Sequence, residues 1–144
     1  MFKKILVPID VDHSKMAVSV YQKAAEIAGL CNAEIRLVGV MPGFGMPIVA
    51  SYISNEMRKE VTEKFDASME KFIKDNCSKS VTYTIRTGKH WEQIIKAADE
   101  WAADLIVVYH NHRRDINEAF SGSCSMRVSE NANCSVLRLR QIRT

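Results

Sequence analysis

The sequence has no run of about 18 apolar residues, the length a helix needs to cross a bilayer, so a membrane-spanning segment is not expected. Met1 to Asp10 lacks the apolar stretch and small-residue cleavage site of a secretory leader and passes straight into a strand-like run, so a cytoplasmic location is expected. Cysteine is sparse and unpatterned. Cys31, Cys77, Cys124 and Cys134 form no CxxC pair and no zinc-like spacing, which argues against a disulfide framework or redox motif and leaves small, mostly buried thiols. The net charge is only +3 and no basic stripe with interleaved aromatics exists, so nucleic acid is not an expected partner. What is there is an ordinary balance, 47% hydrophobic and 26% charged over 144 residues, which is enough for one buried core and one domain spanning residues 1–144.

Ile5 to Ile9 (ILVPI) is a short apolar run rich in branched residues, the pattern of a strand covered on both faces. Asp12 or Ser14 is placed to cap a helix in which Ala17, Tyr21, Ala24 and Ala28 recur every three or four residues, with Gly29 as its stop. Glu34 to Val40 reads as a second strand, and MPGFGMP (Met41 to Pro47) breaks regular structure with two prolines and two glycines. From about Ile48 to Asp75 the positions Met57, Val61, Phe65, Met69 and Phe72 keep a helical period. Val81 to Thr87 alternates in the manner of a strand with one wetter face, expected at a sheet edge. Trp91, Ile94, Ile95, Ala98 and Ala102 mark a helix leading into a strand from Leu105 to Tyr109. A short helix to about Asn131 and a last strand, Ser135 to Leu139, follow. The alternation predicts an α/β fold: one open, mostly parallel five-stranded sheet with helices on both faces, Rossmann-like or flavodoxin-like.

Ligands of such sheets sit outside the carboxyl ends of the strands where strand order reverses, so three loops qualify. They are Asp10 to Ser14, Met41 to Pro47, and Tyr109 to Ser123, the last containing the crowded cationic string YHNHRRD.

Several stretches taken together resemble the universal stress protein family. KKILVPID resembles its first strand and aspartate, LVGVMP its second strand, GKHWEQIIKAADEWAADLIVV its third helix and fourth strand, and SGSCSMRVSENANCSVLRLR its closing glycine-serine, helix and final strand. PGFGMPIVASY is similar, more loosely, to bacterial stress proteins that accompany transport or osmotic-stress systems. In the family's nucleotide-binding branch the fourth strand leads into glycine, two residues, glycine, nine residues, then glycine with serine or threonine. Here those places hold Tyr109, His112, and Gly122 with Ser123. Glycines there would let backbone amides approach phosphate oxygens, whereas Tyr109 and His112 add bulk. Gly122 and Ser123 still open a helix, whose free amides and dipole favour an anion.

Two readings follow. In one, a remodelled site binds ATP, AMP or a related adenine nucleotide with magnesium: Arg113 and His112, with Arg114 and His110, supply by charge what the glycines supplied by backbone. The resemblance then implies that Asp10 holds the ribose or adenine end and that Val40 lines the base pocket; Pro8, Ile9, Tyr109, Gly122, Ser123, Cys124 and Ser125 complete the set of candidate nucleotide-binding residues. Ligand-dependent ordering of the Tyr109 to Ser123 and Met41 to Pro47 loops would change the surface offered to a regulatory partner. In the other reading the chain is nucleotide-independent and acts through its dimer or partner surface. The resemblance also implies a homodimer formed through the edge strand Ser135 to Leu139. Catalysis is not expected, because no GxSxG elbow, familiar metal spacing or water-activating group stands out; a slow phosphohydrolase is the third class. His110 and His112 alternate with one residue between them, which would place both on one side of an extended segment, yet no second ligand cluster stands beside them.

Overall fold

A computed structural model describes residues 1–42, 54–110 and 122–140. Its strands are β1 (Lys4–Pro8), β2 (Glu34–Pro42), β3 (Thr82–Gly88), β4 (Leu105–His110) and β5 (Ser135–Arg140). Its described helices are α1 (Ser14–Cys31), α2 (Asn55–Asn76), α3 (His90–Trp101) and α4 (Gly122–Asn131). The sheet order is β3-β2-β1-β4-β5 and every pairing is parallel, so β3 and β5 form the edges. The expected mostly parallel sheet is therefore wholly parallel among the described residues. Strand order reverses between β1 and β4, which puts the switch-point cleft between Asp10, two residues past the end of β1, and Tyr109 on β4.

Period-two alternation within each covered strand builds two cores. Ile5, Val7, Ile9, Leu37, Leu105 and Val107 face α1 and α2, where Ala17, Val20, Tyr21, Met69 and Phe72 close over them. Leu6, Val38, Val40, Ile106 and Val108 face α3 and α4, meeting Ile94, Ala97, Cys124 and Val128. Each such fully buried side chain contributes on the order of 1.5–3 kcal/mol by leaving water. The strand runs read from the sequence end within a residue or two of the observed ones.

The helix ends differ from expectation for local reasons. Neither Asp12 nor Ser14 caps α1: its N-cap is His13, which makes no side-chain cap, and the entry turn is organised by Asp10 instead. Gly29 does not stop α1. It lies exposed within the helix, with nothing within 4 Å of the position a Cβ would take, and the helix continues to Asn32, which adopts the left-handed conformation (φ 55°, ψ 47°). Nor does α2 start at Ile48 in the described residues, since Ser54 is extended and its Oγ accepts the Met57 N–H at 3.2 Å, a side-chain cap that fixes Asn55 as the first helical residue. Residues 48–53 of the expected helix, and most of MPGFGMP, lie outside the described residues.

Candidate functional site

The parallel pairing brings the carboxyl ends of β1, β2 and β4 to one side of the sheet, and the loops leaving them carry the polar groups. Ile9 continues the ladder by donating its N–H to the Val38 carbonyl at 3.0 Å, which sets Asp10 at the rim of the cleft. Asp10 is held firmly: Oδ1 accepts the Asp12 N–H at 3.0 Å and Oδ2 faces His13 Nδ1 at 2.9 Å. His90, the first residue of α3, adds a second imidazole. Its ring donates to the Val40 carbonyl and lies within electrostatic reach of Asp10, while burial pushes its pKa below the ordinary histidine value against both of these effects. Asp10 is therefore flanked by two histidines, neither of which was expected at the site.

Pro8, Ile9, Asp10 and Tyr109 share a cavity with His13, Met16 and Val20 on the α1 side of the sheet. Its volume of about 10 Å³ holds roughly one water, because the Tyr109 ring packs against the α1-side core and narrows it. Burial raises the pKa of the Tyr109 phenol, so it stays a neutral donor through the physiological range.

Val40 and Cys124 belong to the core on the opposite face of the sheet. Burial drives the Cys124 thiol up to about 11, which makes it a packing group and not a nucleophile. Ser123 is exposed at the start of α4, next to Gly122. Ser125 has no exposed surface; its hydroxyl turns toward the sheet, where it accepts from Arg138 Nε at 3.3 Å and lies 3.4 Å from His110 Nδ1. Arg138 Nη2 donates to the same His110 nitrogen at 2.9 Å. The structure thus brings the expected residues together in two groups, one on each side of the sheet at the same end. His112 and Arg113, with Arg114, lie outside the described residues. Among the described residues no cluster of three His, Cys, Asp or Glu side chains is placed to hold a metal ion.

His90 and Arg138 were not singled out as site residues by the sequence reading, yet each left a signal. In SVLRL the two-residue period puts Arg138 on the same face as Val136, which packs on the α3–α4 core, so the alternation itself points an arginine inward. His90 follows Gly88 by two residues, and the parallel pairing of β3 with β2 carries that turn next to Val40.

The sequence profile of the universal stress protein family matches residues 1–140. The chain belongs to the universal stress protein family. A curated member, Universal stress protein MJ0531 of Methanocaldococcus jannaschii, is 28% identical over 145 residues, covering 98% of this chain and 84% of its own length. Among solved structures, that of hypothetical protein MJ0577 superposes with a TM-score of 0.77 at 24% identity, covering 100% of this chain and 99% of the other. A universal stress protein from Archaeoglobus fulgidus in complex with dAMP gives a TM-score of 0.62 at 23% identity, covering 95% of this chain and 97% of the other. These likenesses agree with the Rossmann-like α/β architecture of this universal stress protein.

Proposed function

We propose that this universal stress protein is a non-catalytic regulator that binds an adenine nucleotide, ATP or AMP with magnesium, at the carboxyl ends of β1, β2 and β4. One observation carries the reading: a fixed carboxylate, Asp10, stands at the switch point of the sheet, and at the same end α4 opens on Gly122 and Ser123 with no acidic residue in its first turn. The carboxylate suits ribose hydroxyls and the helix opening suits phosphate. The dAMP complex of the Archaeoglobus fulgidus relative supports the ligand class. The nucleotide-independent reading is favoured by a different observation, that His90 already occupies the Val40 carbonyl and Tyr109 already narrows the cleft. Under the proposed reading both side chains give way to the ligand, and that displacement is how the nucleotide changes the protein's surface.

The proposal extends to a cytoplasmic homodimer built on β5, an edge strand whose Leu137 is 37% exposed and whose outer backbone row pairs with no other strand among the described residues, so that a second copy could pair there. A thermal-shift titration with AMP and with ATP plus magnesium, run on wild type and Asp10→Ala, tests the ligand. Nucleotide at 100 times its dissociation constant adds about 2.7 kcal/mol and raises the melting temperature by several degrees. Asp10→Ala is expected to lose most of that rise. No rise in wild type favours the nucleotide-independent reading.

A further inference from the structure

The edge strand β3 lacks the usual protection against pairing. Edge strands are commonly short, or carry lysine, proline or a bulge that discourages a further strand. At seven residues β3 is longer than the central β1, which has five, and its sequence TYTIRTG holds neither lysine nor proline. Its single charge, Arg86, is tied down on the α3 face, where Nε donates to Gln93 Oε1 at 3.2 Å and the guanidinium pairs with Glu100. One backbone row of β3 is taken by β2, and the other pairs with no strand among the described residues.

On the opposite, α2 face a groove runs along the start of this edge. Val81, Thr82 and Tyr83 line it on one side and Glu70, Ile73 and Lys74 on the other, enclosing about 430 Å³. Its apolar lining, Ile73, Val81 and the Tyr83 ring, is continuous with the α1–α2 core. The rim above that ring is acidic. A phenol has one proton to donate, and Tyr83 gives it to Asp66 Oδ1 at 2.6 Å, which leaves Glu70 Oε1 at 3.4 Å from the same oxygen without a proton between them. Lys74 stands one turn beyond Glu70, so this rim carries two carboxylates to one ammonium. An arginine or lysine side chain matches both parts, its aliphatic stem lying on the apolar lining and its charged head at the rim.

We propose that β3 is a docking edge for an extended segment of a partner protein that carries a basic side chain. The segment adds as a further strand beside β3, and its arginine or lysine lies along Ile73, Val81 and Tyr83 with its head at Asp66 and Glu70. Main-chain hydrogen bonds to the open row give affinity, and the groove gives specificity for charge. A second copy of this chain fits the edge less well. Self-pairing along β3 would set the acidic rims of both copies on one face of a continuous sheet, where like charges oppose association. This surface lies at the far edge of the sheet from β5 and does not depend on nucleotide binding.

The test is amide hydrogen exchange and calorimetric titration of the full chain with a blocked synthetic peptide of alternating valine and arginine, matched in length to β3. The same peptide with glutamate for arginine, and one with prolines that cannot donate to the ladder, serve as controls. The arginine peptide is expected to bind saturably and to slow exchange of the outward amides of β3, while the glutamate and proline peptides bind at least about tenfold more weakly. Asp66→Asn with Glu70→Gln should weaken the arginine peptide about five- to tenfold and narrow its lead over the glutamate peptide. No saturable binding, equal affinity for the arginine and glutamate peptides, or binding that leaves β3 exchange unchanged would overturn the proposal. Protection of β3 that rises with protein concentration in the absence of peptide would overturn it in favour of a second copy. The exchange measurement on wild type decides the matter even where the double variant is unstable.

Discussion

Gly39 lies in β2 one residue before Val40, and the packing around it yields a prediction with a definite size. A Cβ added there would stand 2.7 Å from Phe65 Cε1, 3.0 Å from Met69 Sδ and 3.1 Å from Phe65 Cζ. Carbon atoms in contact settle at about 3.5–4.0 Å, so the methyl overlaps two side chains of α2. The φ of Gly39 is not in the left-handed region, so alanine meets crowding and not backbone strain. Overpacking costs about 1–3 kcal/mol, and the stiffer unfolded chain returns about 0.4–1 kcal/mol. Phe65 is only partly buried and can tilt away, whereas Met69 is fully buried and cannot retreat. Gly39→Ala should therefore lose about 1–2 kcal/mol, read as a lower urea midpoint at unchanged slope and a melting temperature lower by about 3–6 °C. Adding Phe65→Leu removes the nearest ring atoms, so the double variant should lose less than the sum of the singles by about 1 kcal/mol. A neutral Gly39→Ala, or strict additivity of the pair, would refute the claim that α2 sits on β2 through this glycine.

Three further outcomes follow from the site. Because burial lowers the His90 pKa, the native state binds protons less readily than the unfolded chain. Stability should fall as pH drops through about 6.5, and His90→Gln should flatten that dependence in urea titrations between about pH 7 and 5. Tyr109→Gly should enlarge the cavity beside Asp10 and strengthen nucleotide binding. Its stability cost, about 1–2 kcal/mol, stays below that of a fully buried aromatic, and an unchanged affinity by calorimetry would clear the ring of blocking the cleft. With Cys77 and Cys124 both pushed up to about 11 by burial, alkylation at neutral pH followed by mass spectrometry should label Cys31 first and Cys124 only on unfolding.

The fold was legible because its signals are local. ILVPI and LIVV are strands covered on both faces, and the helix stripes between them leave only parallel crossovers. Helix ends were less so: Gly29 is tolerated on an open helix surface, and the true stop is the left-handed Asn32 three residues on. At the site, Asp10 could be placed from the sequence because it ends a strand. The contacts of His90 and Arg138 depend on how separate elements come into register, and no local pattern encodes which carbonyl an imidazole meets or whether an arginine finds a carboxylate. His110 was weighed with His112 as a metal pair and set aside for want of further ligands; its contact with Arg138, Nη2 to Nδ1 across the β4–β5 pairing, had no signal in the sequence.

Calorimetric titration of wild type and Gly122→Asp with ATP and magnesium tests the central claim most directly. The account predicts saturable heat in wild type and its loss when a carboxylate is placed at the start of α4, where it would repel phosphate. Silence in wild type at about millimolar ATP, or equal binding by both proteins, would contradict a phosphate seat at α4.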